Sequence, residues 1–113
     1  MDIRLKTQPF NFDGKTFQLC CNMNVLADVQ GVYEGNIRIA LESPDKVRSL
    51  LEFLTAMLND YADSQNWEER YTSRQVGRLL KPSQLNMISE TVMGLVVDSL
   101  KDESDTEEEA EKN

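Results

Sequence analysis

The segment PFNFDGKTFQLCC, residues 9–21, decides the fold. It predicts a β-hairpin, and because a two-stranded hairpin is not stable alone, it must pack on other elements. Asp13 and Gly14 favour the positive φ angles that a two-residue hairpin turn requires. With these residues as the turn, Phe12 faces Lys15, and the rest of the register follows from that pair. The apolar side chains then share one face of the hairpin: Phe10, Phe12, Phe17, Leu19 and Cys21.

The opposite face of the hairpin is polar, with Asn11, Thr16 and Gln18. A two-stranded ribbon with a single apolar face needs other elements to cover that face. Pro9 has no backbone N–H to donate and therefore marks the first strand as an edge strand. The hairpin is expected to lie on helices, which must supply most of the core.

A first helix is predicted in NMNVLADVQGVYEG, residues 22–35, from apolar residues at three- and four-residue steps. Asn22 or Asn24 is the expected N-cap and Gly35 the expected end. Gly31, inside the helix, is expected to allow close packing against a neighbouring element. Residues 36–42 fit a short strand, a helix or a crossing loop. The predicted inward side chains are Val25, Leu26, Val29, Val32 and Tyr33.

A second helix is predicted over residues 44–63, where Ser43 supplies a cap and Pro44 the first helical position. Asp45 places a carboxylate near the positive end of the helix dipole. A continuous apolar face follows, which predicts the central helix of the domain. Its members are Val47, Leu50, Leu51, Leu54, Met57, Leu58 and Tyr61.

Two more helices are predicted towards the C-terminus. A short one has Thr72 or Ser73 as its cap and ends before Pro82, with Val76, Leu79 and Leu80 facing inward. The last one occupies residues 83–101. Its predicted inward stripe is Leu85, Ile88, Val92, Leu95, Val96 and Leu100.

The sequence therefore predicts a mainly α, α+β fold: an N-terminal hairpin on a bundle of about four helices, in a single domain of residues 1–101. The 113-residue chain has a net charge of −8, and residues 102–113, with seven acids and one base, carry −6 of it. This acidic segment has no large apolar side chain to bury, so it is expected to be disordered and solubilising.

The cellular setting is predicted from what the sequence lacks. Residues 1–10 contain no apolar run of the kind that a signal peptide has, and no stretch approaches the roughly 20 apolar residues of a membrane helix. Cys20 and Cys21 are neighbours and poorly placed for a mutual disulfide, which fits reduced cysteines. A cytoplasmic protein without membrane contact is expected.

No catalytic, metal or cofactor site is predicted. The chain has no histidine, which removes the usual catalytic triads and the commonest nitrogen ligand of transition metals. Its five glycines are scattered and form no phosphate-binding or dinucleotide fingerprint. The acid pair Glu68 and Glu69 is interpreted as a solvated face and not as a catalytic dyad. The protein is therefore not expected to be an enzyme.

Basic residues recur at helical steps in ERYTSRQVGRLLK, residues 69–81: Arg70, Arg74, Arg78 and Lys81. In an acidic chain this stripe is interpreted as a solvated helix face, contacted by the acidic segment, in preference to a nucleic-acid site. Trp67 and Tyr71 are expected to cover the open end of the core. Methionines such as Met57, Met87 and Met93 are expected to be core residues.

The order of these parts resembles the tail-assembly chaperones of long-tailed, siphovirus-type bacteriophages and prophages. The similarity spans nearly the whole chain and is carried by FDGKTF (12–17), NMNVLADVQGVYEG (22–35), SPDKVRSLLEFLTAMLNDY (43–61) and YTSRQVGRLLKPSQL (71–85), followed by an amphipathic helix and a charged tail. The family shares patterns and not fixed residues, so the resemblance transfers no site residue.

The resemblance implies a small non-catalytic helper that coats the tape-measure protein, keeps it soluble until tail-tube subunits assemble, and is absent from the mature virion. Such chaperones are often made in two lengths by ribosomal frameshifting. Residues 102–113 would then link the folded domain to an extension that recruits tail-tube protein, while their charge opposes aggregation.

The partner-binding residues are not identified by the sequence. Exposed residues of the hairpin and of the helices at 44–63 and 83–101 are the candidates for holding apolar stripes of a helical partner. A hairpin edge or a long helix can also pair with a second copy of the chain. The alternatives to a chaperone are a structural tail or head-completion subunit and an acidic DNA-mimic inhibitor.

Overall fold

The computed structural model describes residues 5–42 and 46–101. Within these residues the chain is mainly helical and carries an N-terminal antiparallel hairpin, as predicted. The elements in chain order are β1 (Gln8–Phe12), β2 (Lys15–Leu19), α1 (Met23–Val32), α2 (Ile37–Glu42), α3 (Val47–Ser64), α4 (Ser73–Leu79), a 3₁₀ turn (Pro82–Gln84) and α5 (Leu85–Leu100).

The hairpin has the predicted register. Phe12 pairs with Lys15 and Phe10 with Phe17 across the two strands. Both turn residues have positive φ angles, 51° at Asp13 and 73° at Gly14. The five apolar side chains of the predicted face are all buried. The turn and the alternation of polar and apolar residues thus place one face of the hairpin on the helices.

Two glycines, Gly14 in the hairpin turn and Gly31 inside α1, give a matched test. Gly14→Ala is expected to lower the free energy of unfolding by about 1–2 kcal/mol, because an L-residue is strained at φ 73°. Gly31→Ala is expected to raise it by about 0.4–1 kcal/mol, because alanine favours the helix and the new Cβ meets no atom within 4 Å. Urea unfolding followed by circular dichroism measures both. Equal effects of the two substitutions would contradict the turn geometry.

α1 is fixed at both ends by the residues that the sequence indicates. The Val25 N–H donates to the Asn22 side chain at 3.0 Å, and the Asn22 amide donates to Asp60 of α3 at 2.7 Å. Gly35 follows the helix with a φ of 88°. The expected close packing at Gly31 is wrong, because among the described residues no neighbouring atom lies within 4 Å of a Cβ at that position. Residues 37–42, left open by the sequence, form helix α2.

α3 is the central helix of the domain. It contacts α1, α4, α5 and strand β2, and most of its residues between Ser49 and Ala62 are buried. Its first residue is Val47, whereas the sequence predicted a start at Pro44; the predicted cap at 43–45 lies outside the described residues. Around α3 a single core cluster brings together residues of the hairpin and of all five helices.

Aromatic side chains close one end of the core, as predicted for Trp67 and Tyr71. The ring of Phe17 is fully buried and lies 5.3 Å from Trp67 and 5.9 Å from Tyr61, measured between ring centroids. Asn59 accepts from the Tyr71 N–H and donates to the Tyr71 carbonyl, both at 2.8 Å. This paired contact ties the connection between α3 and α4 to α3 and thereby positions α4.

Several predicted inward residues are in fact exposed, and they lie at helix ends. Val32, Val47, Leu79, Leu85 and Leu100 were expected in the core, and each is exposed to solvent. The periodicity of each helix is correct, but no opposing element of the described residues covers its terminal turn. Helical spacing alone therefore overestimates how far the core extends along these helices.

Cysteine placement fits the expectation of free thiols. Cys20 is half-buried, Cys21 is buried, and both are free. Burial raises the pKa of both thiols above the usual range, with a nearby Asp60 carboxylate adding to the effect at Cys20. The two thiols are accordingly in their neutral form at pH 7. Among the helices in the described ranges, none combines the length and apolar composition needed to cross a membrane.

Candidate functional site

Not all large apolar side chains are buried in the core; several are exposed on the surface. Ten of them are exposed within the described residues. Three of these, Val47, Leu79 and Leu85, come from the beginning of α3, the end of α4 and the beginning of α5. Val47 and Leu85 line the same depression, with 52% and 38% of their surfaces exposed. The place where these three helix ends meet is therefore the candidate binding site.

The depression, called the apolar groove below, has a volume of about 210 Å³. Its walls are almost entirely aliphatic, so it offers a partner apolar surface and few hydrogen-bonding groups. The core residues Leu50 and Ile88 lie at its base, since both are buried. The lining residues are Val47, Leu50, Leu51, Gly77, Leu80, Lys81, Pro82, Leu85 and Ile88.

Local sequence explains why a groove forms here. Thr72 and Gln75 cap α4 reciprocally: the Gln75 N–H donates to the Thr72 hydroxyl at 3.2 Å, and the Thr72 N–H donates to the Gln75 side chain at 2.8 Å. Leu80 is extended, with φ −110° and ψ 145°, and Pro82 opens the 3₁₀ turn that leads into α5. The chain thus leaves α4 abruptly and turns away, which keeps α5 from covering the end of α4.

Gly77 lines the groove and adds no side chain to fill it. A Cβ at this position would lie 3.5 Å from Cδ1 of Leu51, an ordinary contact distance, so the glycine is not required for packing. Its missing side chain instead leaves a gap between α3 and α4. A second depression of about 360 Å³ shares Gly77 and Leu51 with the apolar groove. The two depressions therefore lie next to each other.

Basic residues line both depressions. Arg48, Arg74 and Arg78 line the second depression, and Lys81 lines the apolar groove. These four residues are called the basic rim. Arg48 lies 3.3 Å from the buried carboxylate of Glu52. Within residues 5–42 and 46–101, the other three have no carboxylate within 4.0 Å. The rim thus offers three cations to an anionic group.

The predicted basic stripe is only partly correct. Arg74 and Arg78 share one face of α4, as the spacing indicates. Arg70 precedes the helix; it donates to the carboxylate of Asp63 at 3.1 Å and to the Trp67 carbonyl at 2.5 Å. Lys81 follows the helix in extended backbone. Arg48, on another helix, completes the rim, and no spacing within residues 69–81 could have identified it.

The other candidate residues fall outside the groove. Glu69 accepts from Lys15 of the hairpin at 2.6 Å, which raises the pKa of that lysine, and Glu68 is exposed on the connection after α3. Met57 is buried and Met93 half-buried, as expected, whereas Met87 is exposed. No cluster of three potential metal ligands occurs among the described residues.

Of the candidate surfaces named from the sequence, the hairpin does not contribute to the groove and two helices do. The apolar face of the hairpin is buried in the core, so strands β1 and β2 present no exposed large apolar residue. The first turns of α3 and α5 do contribute to the groove. The contribution of α4 was missed. The signals that could have indicated it are Gly77 within the helix and Pro82 directly after Leu80 and Lys81.

Comparison of the chain with protein-family models, with curated proteins and with solved structures found no match. A functional assignment therefore depends on the chain's own residues and on the surface that they form.

Proposed function

We propose that this protein is a non-catalytic phage tail-assembly chaperone that binds helical segments of a tape-measure protein in the cytoplasm of the infected cell. The observation that supports the proposal best is the apolar groove at the junction of α3, α4 and α5, with Val47 and Leu85 exposed at its edge. The family resemblance of the sequence supplies the identity of the partner.

The groove suits one helix face better than an extended chain. A helical partner presents apolar side chains at three- and four-residue steps, so one or two of them can enter an aliphatic depression of about 210 Å³. The basic rim would favour acidic residues flanking that stripe. Each contact of this size is weak, and a long tape-measure protein would be held by many copies bound along its length.

The proposed activity is protection from aggregation and not chemistry. A long helical protein with uncovered apolar stripes associates with itself, and covering those stripes keeps it soluble until tail-tube subunits assemble around it. Recruitment of tail-tube protein belongs to the same proposal. The chaperone would be released on assembly and would be absent from the mature virion.

Co-expression with the tape-measure protein of the same genome tests this function. The soluble fraction of the tape-measure protein is expected to increase several-fold with the full chain, as measured by centrifugation and quantitative gel analysis. A variant with a polar groove, Val47→Asn with Leu85→Gln, is expected to lose most of the gain. Equal precipitation with and without the chain would contradict the proposal. Finding the chain in purified particles would instead favour a structural tail or head-completion subunit.

A further inference from the structure

Tyr71 joins the β-hairpin to the start of α4. It directly precedes Thr72, the N-cap of α4, and the residue at this position fixes the angle at which the chain enters a helix. The Tyr71 backbone bonds to the Asn59 side chain of α3 through its N–H and its carbonyl, each at 2.8 Å. Its own side chain contacts the hairpin. One residue therefore connects α3, α4 and the hairpin.

Three contacts attach the connection between α3 and α4 to the hairpin turn. The Tyr71 hydroxyl donates to Oδ2 of Asp13 at 2.9 Å, and the Tyr71 ring meets that of Phe12 edge-on, with 5.3 Å between centroids. Lys15 donates to the Glu69 carboxylate at 2.6 Å. An ion pair on the surface adds little to stability, whereas an aromatic contact and a hydrogen bond to a carboxylate add more. Tyr71 is therefore the main attachment.

α4 depends on such attachments for its orientation. A helix of seven residues is not stable alone in water, so contacts with the rest of the fold must hold it. Val76 is the single buried residue of α4, and one buried anchor leaves the direction of the helix axis to the contacts at its two ends. Arg74 and Arg78 line the second depression, and Gly77 lines both depressions. A change at the start of α4 therefore reaches the candidate binding site.

We propose that Tyr71 is a positioning residue of the binding site: through its contact with the hairpin turn it sets the direction of α4, and with it the places of Arg74 and Arg78 beside the apolar groove. The inference rests on the proposed function, because the surface that is positioned is the one assigned to the partner. It gives a role to the hairpin, whose apolar face is buried in the core. The hairpin acts on binding through α4.

Tyr71→Phe in the full chain tests the inference, because it removes the hydroxyl and keeps the ring. The variant is expected to shift the backbone amide resonances along α4. Hydrogen exchange of the Gln75 N–H, which donates to the Thr72 cap, is expected to become about three- to tenfold faster, because the start of α4 opens more often. Unchanged resonances and exchange in α4 would overturn the inference.

Two further variants separate this contact from a general effect of changing the hairpin. Thr16→Val removes a hydroxyl that donates to Asn11 at 2.8 Å on the polar face of the hairpin, and it is expected to leave α4 unchanged. Asp13→Asn keeps an acceptor for the Tyr71 hydroxyl and tolerates the φ of 51°, so it is expected to resemble the wild type. A response of α4 to Thr16→Val as large as that to Tyr71→Phe would overturn the inference.

Anilinonaphthalene sulfonate, an anionic dye with an apolar ring system, measures the consequence for binding. Tyr71→Phe is expected to bind the dye about two- to fivefold more weakly than the wild type, because the binding-competent orientation of α4 is less populated, and Thr16→Val is expected to bind it normally. Equal affinity of Tyr71→Phe and the wild type would overturn the positioning role. A wild-type chain that binds the dye but leaves the tape-measure protein insoluble would contradict the proposed function and leave the role of Tyr71 intact.

Discussion

Phe17→Ala is expected to lower the free energy of unfolding by about 3–5 kcal/mol, the largest effect of any substitution considered for this chain. The side chain is fully buried, and its ring lies between 5.3 and 6.4 Å from those of Trp67, Tyr61, Phe12 and Tyr71. Removing it loses the transfer free energy of the ring and leaves a cavity that these large rings cannot easily close. A domain of this size is stabilised by only about 5–15 kcal/mol, so the variant would be near its unfolding limit.

Urea unfolding monitored by circular dichroism measures this loss, and fluorescence of Trp67, the only tryptophan, follows the same end of the core. Phe17→Leu is the control: it keeps most of the apolar volume and is expected to cost less than half as much. A loss below about 1 kcal/mol for Phe17→Ala would mean that the hairpin does not pack on α3 as the structure describes.

The hairpin and the central helix were predictable because their signals are local. The pair Asp13 and Gly14 fixes the turn, the turn fixes the register, and the register assigns every side chain of residues 8–19 to a face. The N-caps at Asn22 and Thr72 could also be predicted from the sequence, since the side chain of a cap bonds to a backbone N–H within three residues of its own position. Where the determining interactions span a few residues, sequence and structure agree.

The candidate site was not predictable by the same means. Val47 and Leu85 fit the apolar periodicity of their helices and differ from Leu50 and Ile88 in that no opposing element within residues 5–42 and 46–101 buries them. That absence follows from how α4 ends and how α5 begins, which involves packing among three helices. Arg48 joins the rim for the same reason. Gly77 and Pro82 could have indicated the contribution of α4, but a surface formed by three helix ends has no complete signature in any one segment.

The pair Val47→Asn with Leu85→Gln is expected to weaken binding of a helical partner about 10- to 100-fold and to lower the free energy of unfolding by about 1–3 kcal/mol, which leaves a domain stabilised by about 5–15 kcal/mol folded. Binding is affected as well as folding because 52% of Val47 and 38% of Leu85 remain exposed for a partner to cover. Completing the burial of two aliphatic side chains accounts for about 1.5–3 kcal/mol of binding.

The matched control for that variant is Met23→Gln with Val97→Asn, which also makes two exposed apolar residues polar. Met23 is 79% exposed on α1, and Val97 is 51% exposed, about 18 Å along α5 from Leu85. Isothermal titration with a peptide from the tape-measure protein is expected to give near wild-type affinity for the control. If both variants bind equally weakly, the partner uses a broad apolar surface; if both bind normally, the groove is not the binding site. Selective loss in the groove variant is the result that places the partner between α3, α4 and α5, where exposed aliphatic side chains stand beside cations that can orient an acidic helix.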